Sequence, residues 1–240
     1  MIWTFWKRCA RGTACANIRH SLCPQRNSVR QYTTQPLSAA QVQRLQEEID
    51  TCNRESGLHI QLIKDEPKAF EGFLAHYGKF QHVRNYIAMI GQKGSKLEET
   101  CGYYGERLVL LAQQLGLNTC WTAMTYRKIK TAFTVDEGEK LCIVIAIGHG
   151  ASQGTAHRSK HMEEVSEPID PMPQWYRNGI EAALLAPTAM NQQKFCFALR
   201  KERVSVRAGR GFYTKVDLGI VKYHFEIGAG QSDWTWDERA

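Results

Sequence analysis

The stretch ETCGYYGERLVLLAQQLGLNTCW, Glu99 to Trp121, decides how the rest of the chain is read. Its apolar residues Leu108, Val109, Leu110, Leu111, Ala112 and Leu115 cover most of a helical circumference, which predicts a helix buried on several sides. Gly116 is placed to cap its C-terminus. CWTAMTY then reads as extended.

Outward from this helix, NYIAMIGQKG (Asn85 to Gly94) and KLCIVIAIGHG (Lys140 to Gly150) read as strands, the second a continuous apolar run of buried-strand length. GLHIQLIKD alternates enough to form another. FEGFLAHYGKFQHV suits a short helix or a loop. Nearer the N-terminus, PLSAAQVQRLQEEIDTCN reads as a helix capped by Ser38, with Val42, Leu45 and Ile49 on one face. After the polar segment 151–174, the order is helix, loop, strand, turn, short strand and final helix, with RAGRGFYTK (Arg207 to Lys215) as a hairpin turn. Mixed strands and helices predict an α+β or α/β layered fold.

Composition removes several classes. The 240 residues, 43% hydrophobic and 23% charged, are ordinary for a globular protein. No apolar run reaches membrane-spanning length, so no membrane partner is expected. The net charge of +7 sits in the first 46 residues, which hold Lys7, Arg8, Arg11, Arg19, Arg26, Arg30 and Arg44 and no acid. Residues 1–21 are therefore read as a basic extension, an organellar targeting leader being the other reading. Eight cysteines without a C-x-x-C pair argue for a reducing, cytoplasmic setting and against a disulfide scaffold. Cys142, inside an apolar run, reads as a small buried hydrophobe. His149, His157 and His161 have no convincingly spaced carboxylate, so no metal is expected.

Three segments carry candidate chemistry. RNSVRQY (Arg26 to Tyr32) sets Arg26, Ser28 and Arg30 on one face of an extended backbone, with no carboxylate closer downstream than Glu47. Two guanidiniums and a hydroxyl suit a phosphate; a solvated turn is the alternative. HRSK (His157 to Lys160) repeats this basic recipe, again with a solvated loop as the alternative. APTAMNQQKF (Ala186 to Phe195) presents Asn191, Gln192 and Gln193, whose amides match a heterocycle edge bearing donors and acceptors, or else serve a helix-stop loop.

Together these segments resemble the FMN-dependent nitroreductase family. RNSVRQY is similar to its R-x-S-x-R-x-[YF] element, YYGERLVLLAQQLGLNTCW to its central helix and following strand, and APTAMNQQKF to its [AS]-P-[ST]-x-x-N-x-Q-P-[WF] segment, with Lys194 where the family has Pro. IAIGHG followed by HRSK resembles its closing strand and basic tail. The Asn-bearing segment follows the IGHG strand here, an order similar to a single-chain subfamily with two nitroreductase-like halves. The resemblance therefore implies an α+β nitroreductase-like fold, a mostly antiparallel sheet flanked by helices, with two halves forming a pseudo-dimer within one chain. The expected boundaries are 22–150 and 174–240, joined by 151–173. Gly105 and Gly116 in one helix, echoed by Gly219 and Gly230 in the other, agree with such a duplication.

The same resemblance implies bound FMN. Arg26, Ser28 and Arg30 would hold its phosphate and ribityl end, with Arg158 and Lys160 adding charge. Asn191 and Gln193 would bond near the ring, and Thr122 and Ala123 would offer a backbone N–H. Chemistry would be the flavin's own, with no catalytic side chain: NADH or NADPH gives a hydride, and a small electron-poor acceptor such as a nitroaromatic or quinone receives it. A monomer acting as its own pseudo-dimer, or a homodimer, is expected. A non-catalytic flavin-binding sensor or store is the second reading; a basic nucleic-acid-binding module, resting on charge and RAGRG, is a weaker third.

Overall fold

The Ser38 hydroxyl accepts from the Gln41 N–H while the Gln41 side chain accepts from Ser38 N, a reciprocal capping box that opens α1 (Ala39–Ser56). The helix buries Leu45, Ile49 and Cys52 and stops at Gly57, whose φ of 71° favours glycine. The computed structural model describes residues 23–231 and 233–237; the extension expected over 1–21 lies outside them.

The chain divides into two compact units. In Arg26–Ala156, strands β1 (Gln61–Ile63), β2 (Asn85–Gln92), β3 (Asn118–Thr122) and β4 (Glu139–Gly148) form an antiparallel sheet in the order β1-β2-β4-β3. Both faces are covered, which is why β2 and the end of β4 are apolar without alternation. One face packs Tyr86, Ala88, Ile90, Val144 and Ala146 against Phe70, Phe80 and Phe133, with Phe70 preceding the short helix α2 (Phe73–Tyr77).

The other face receives α3 (Leu97–Gln114), in which every residue from Cys101 to Ala112 is buried. Gly105 lets this helix approach: a Cβ there would run into the Trp121 ring and meet Ile145 Cδ1 at 3.2 Å. On its far side, Arg107 donates to Glu48 and, at 2.7 Å, to Glu55, both on α1. The helix is thus covered on several sides, as its apolar circumference requires. Cys142 departs from expectation. It is only partly buried, because the β2–β4 register slips and leaves it without a cross-strand partner.

The second unit comprises residues 23–25 and 157–237 of the described chain. It contains α4 (Gln174–Ala183), β5 (Phe195–Arg200), β6 (Arg203–Ala208), α5 (Thr214–Ala229) and β7 (Thr235–Trp236). β5 pairs antiparallel with β6, and β7 joins β6 in parallel. Phe225 on α5 stacks on Phe197 at 4.8 Å and meets Trp234 and Trp236 edges. Gly179 of α4 sits under the Phe225 ring, and Gly228 of α5 lies against the Asn178 carbonyl, so both glycines are there for close approach. The polar segment from His157 onward is part of this unit: Phe197 N donates to Val165 O, and Glu167 N to Phe197 O, each at 2.8 Å.

The expected hairpin turn is displaced. Lys201 and Glu202 make the β5–β6 turn, with Lys201 at φ 58°, and RAGRGFYTK instead ends β6 and leads into α5. No helix among the described residues is long and apolar enough to cross a membrane.

Substituting Gly105→Ala is expected to destabilise the protein by about 1–3 kcal/mol through overpacking against Trp121. Urea unfolding would show this as a lower midpoint with an unchanged slope.

Candidate functional site

RNSVRQY is neither a turn nor free in solvent. It runs extended beside β3, with Ser28 bridging Thr119 in parallel and Val29 N donating to Thr119 O at 3.0 Å. Thr33 N donates to His149 O, and Ala151 N to Gln31 O, each at 2.8 Å, which ties the segment to the end of β4.

Arg26 points inward and is 4% exposed. Its Nε lies 3.8 Å from Glu106 Oε1 and has no hydrogen-bond partner among the described residues. The carboxylate that is missing near Arg26 in the linear sequence comes from α3. Glu106 is fully buried and also accepts from Trp121 Nε1 at 2.9 Å. Arg30 is exposed and has no carboxylate partner among the described residues.

The common neighbour of these groups is Cys120, which sequence reasoning did not single out. Burial pushes its thiol pKa up, opposed by the charges of Arg30 and Arg26 and by hydrogen bonds with Ser28 and Thr122. Arg26, Ser28, Arg30 and Thr122 thus all bear on the titration of one thiol, on the edge strand of the sheet. Thr122 turns its hydroxyl back to Cys120 O at 3.2 Å, and Ala123 follows directly where β3 ends. Reading across strands would have been needed to find Cys120, because nothing in its own neighbourhood marks it.

In the other unit, Arg158, Lys160, Asn191 and Gln193 form one hydrogen-bonded network. Arg158 O accepts from Asn191 Nδ2 and from Gln193 Nε2, each at 2.9 Å. Gln193 Oε1 accepts from Lys160 N at 2.9 Å, and Lys160 Nζ donates to Gln193 O at 3.1 Å. HRSK is accordingly anchored while Arg158 stays exposed, with His157 Nε2 and Ser159 Oγ both 3.0 Å from Leu184 O. Gln193 is buried and its amide is consumed internally, whereas Asn191 is exposed. Met190, Asn191 and Gln193 all have positive φ, of 52°, 53° and 44°, a concentration of strain typical of functional loops.

Of the histidine trio, none joins a metal-like cluster. Among the described residues only His59, Asp136 and Glu139 gather their ligand atoms within 4.8 Å. They already bond one another at a turn: Glu139 Oε2 lies 2.9 Å from His59 Nδ1 and accepts from Asp136 N at 2.9 Å.

Comparison with known proteins identifies the family. Residues 21–229 match the family model described as "Putative TM nitroreductase". The chain belongs to this nitroreductase family. Its fold is similar to that of a "putative nitroreductase" from Thermotoga maritima, at 19% identity, covering 88% of this chain and 82% of that one with a TM-score of 0.58. It is also similar to a "putative nitroreductase" from Desulfovibrio desulfuricans crystallised with FMN, at 20% identity, covering 65% and 98%, TM-score 0.50. A nitroreductase-like protein from Streptococcus mutans matches at 13% identity, covering 65% and 100%, TM-score 0.54. No curated protein matches the chain. The fold class is thus the α+β nitroreductase-like one that the sequence implied.

One support of the amide loop titrates. Asp217 of α5 accepts from Ala189 N at 2.9 Å and from Gln192 Nε2 at 2.8 Å. Desolvation pushes its carboxyl up to about 6, against the pull of these two donors. Because the folded-state value is raised, this group's stabilising contribution is complete below its ordinary pKa and is lost as pH rises through about 6. Wild type should therefore gain thermal stability relative to Asp217→Asn as pH is lowered from about 7 to about 4. Melting temperatures of the two proteins across that range check this; a constant difference would contradict it.

Proposed function

We propose that this protein is an FMN-dependent oxidoreductase using NADH or NADPH to reduce a small electron-poor acceptor. The observation that carries the reading is the segment bearing Arg26, Ser28 and Arg30 laid beside β3, with a buried Arg26 Nε that lacks a hydrogen-bond partner among the described residues. Such a donor-rich edge fits a phosphate monoester. FMN, when bound, supplies two-electron chemistry, accepting hydride from a reduced nicotinamide and passing it to an acceptor such as a nitroaromatic or quinone.

The chain's own residues then bind and orient. Arg26 is neutralised by Glu106, so Arg30 is the cation left to meet phosphate oxygens bidentately, with the Ser28 hydroxyl beside it. Arg26 stands behind it, paired with Glu106, with its Nε–H as a spare donor. Thr122 and Ala123, at the end of β3, provide the backbone edge that the family pattern assigns to the ring. In the other unit, the family pattern also assigns Arg158, Lys160, Asn191 and Gln193 to flavin. Asn191 and Arg158 carry exposed polar groups suited to that contact, whereas Gln193 and Lys160 hold the loop in its left-handed conformation. We assign the working form to a monomer with two nitroreductase-like halves, or to its homodimer, in the cytoplasm.

Arg30→Ala should weaken FMN binding roughly 10- to 100-fold, the loss of a charge-assisted hydrogen-bonding partner. Titration of apoprotein with FMN, followed by flavin fluorescence, measures it. Wild-type affinity in the variant would remove Arg30 from the phosphate site. In the reconstituted wild type, bleaching by NADH or NADPH and recovery with a quinone separates an enzyme from a flavin store.

A further inference from the structure

The slip in the β2–β4 register places a second cysteine against α3. Met89 pairs with Ile143 and Ile90 with Leu141, so Cys142 is the extra residue of a bulge. Leu141 and Val144 both join the cluster on the sheet face away from α3. In a regular strand, residues three apart cannot share a face. The bulge resolves this by turning both Cys142 and Ile143 toward the α3 side, where Ile145 also points. On α3, Cys101 lies one turn before Gly105, on the stripe that rests on the sheet. The two thiols therefore lie on facing sides of this helix–sheet contact, and each perturbs the other's titration.

We propose that Cys101 and Cys142 form an oxidant-responsive dithiol, converted by peroxide to a reversible disulfide between α3 and β4. The two sulfurs have different roles. Cys142 is partly exposed and is the entry point; Cys101 is fully buried and can react only with Cys142. The hydrogen bond from the Cys101 thiol, with help from the Lys140 charge, holds the Cys142 pKa below the ordinary thiol value despite partial burial. That favours the thiolate at the accessible position.

The chemistry balances in two steps. The Cys142 thiolate attacks one peroxide oxygen, the O–O bond breaks, and hydroxide leaves to become water, giving a sulfenic acid. The Cys101 sulfur then attacks the Cys142 sulfur, the S–O bond breaks, and the second oxygen departs as water with the Cys101 proton. Two thiols and one peroxide become one disulfide and two waters.

The test uses the full-length protein and hydrogen peroxide. After treatment, alkylation under denaturing conditions should find two of the eight cysteine thiols missing. Peptide mapping should show Cys101 linked to Cys142, and dithiothreitol should restore all thiols. Cys142→Ala should abolish the loss, and Cys101→Ala should leave Cys142 trapped by dimedone as the unresolved sulfenic acid. A full thiol count after peroxide, or a linkage joining any other pair, overturns the proposal. Because mapping is done on wild type, it stands even if a variant folds poorly.

Discussion

The buried carboxylate of Glu106 is the constraint on which the larger unit depends. A carboxyl group with no solvent access is tolerated only when its polar atoms find partners. Here the Trp121 N–H occupies Oε2 and the Arg26 guanidinium stands 3.8 Å from Oε1. One side chain therefore joins the central helix, the strand that follows it and the segment that precedes α1. The neighbouring positions complete the fit. Gly105 admits the Trp121 ring, and Arg107 reaches the opposite side to two carboxylates of α1. Three successive residues, each rotated about 100° from the last, thus fix α3 between them against the sheet, the segment before α1 and α1 itself.

Much of this architecture was legible in the sequence because its signals are local. The apolar circumference of α3, the continuous run of β4 and the Ser38 cap each follow from a dozen residues or fewer, and the structure contains all three. The family itself was readable from four dispersed motifs. What escaped is what depends on residues far apart. Arg26 looked acid-free because Glu106 lies 80 positions away, and Cys120 gains its meaning only once residues 26–32 are laid beside β3. The β5–β6 turn escaped for a different reason. Lys201 and Glu202 carry no turn signature, whereas the glycine-rich RAGRG nearby carries a strong one and belongs to the next connection.

The amide loop shows how a site residue and a supporting residue can look alike in a motif. Asn191 and Gln193 are both amides, two positions apart, and both donate to Arg158 O. Their burial separates them: Gln193 is 3% exposed and fully engaged, so its work is to hold the backbone. Three non-glycine residues in the left-handed region within four positions need such a brace, and the Asp217 carboxylate supplies a second one from α5. Holding that carboxylate out of water raises its pKa, so the loop's geometry is kept at an electrostatic cost that grows toward neutral pH.

Both irregular features, the left-handed loop and the β4 bulge, break a periodic rule and thereby re-aim side chains. Without the bulge, strict alternation from Leu141 would place Cys142 toward α3 but Ile143 on the opposite face, and every later residue of β4 would be inverted. Val144 and Ala146 would then face α3, and Ile145 would leave the Gly105 contact. The extra residue at Cys142 is therefore what keeps the second half of β4 in register with α3, while leaving a thiol where the strand is locally unpaired. A position required for packing and exposed by the same irregularity is one where chemistry can be added without disturbing the sheet beyond it.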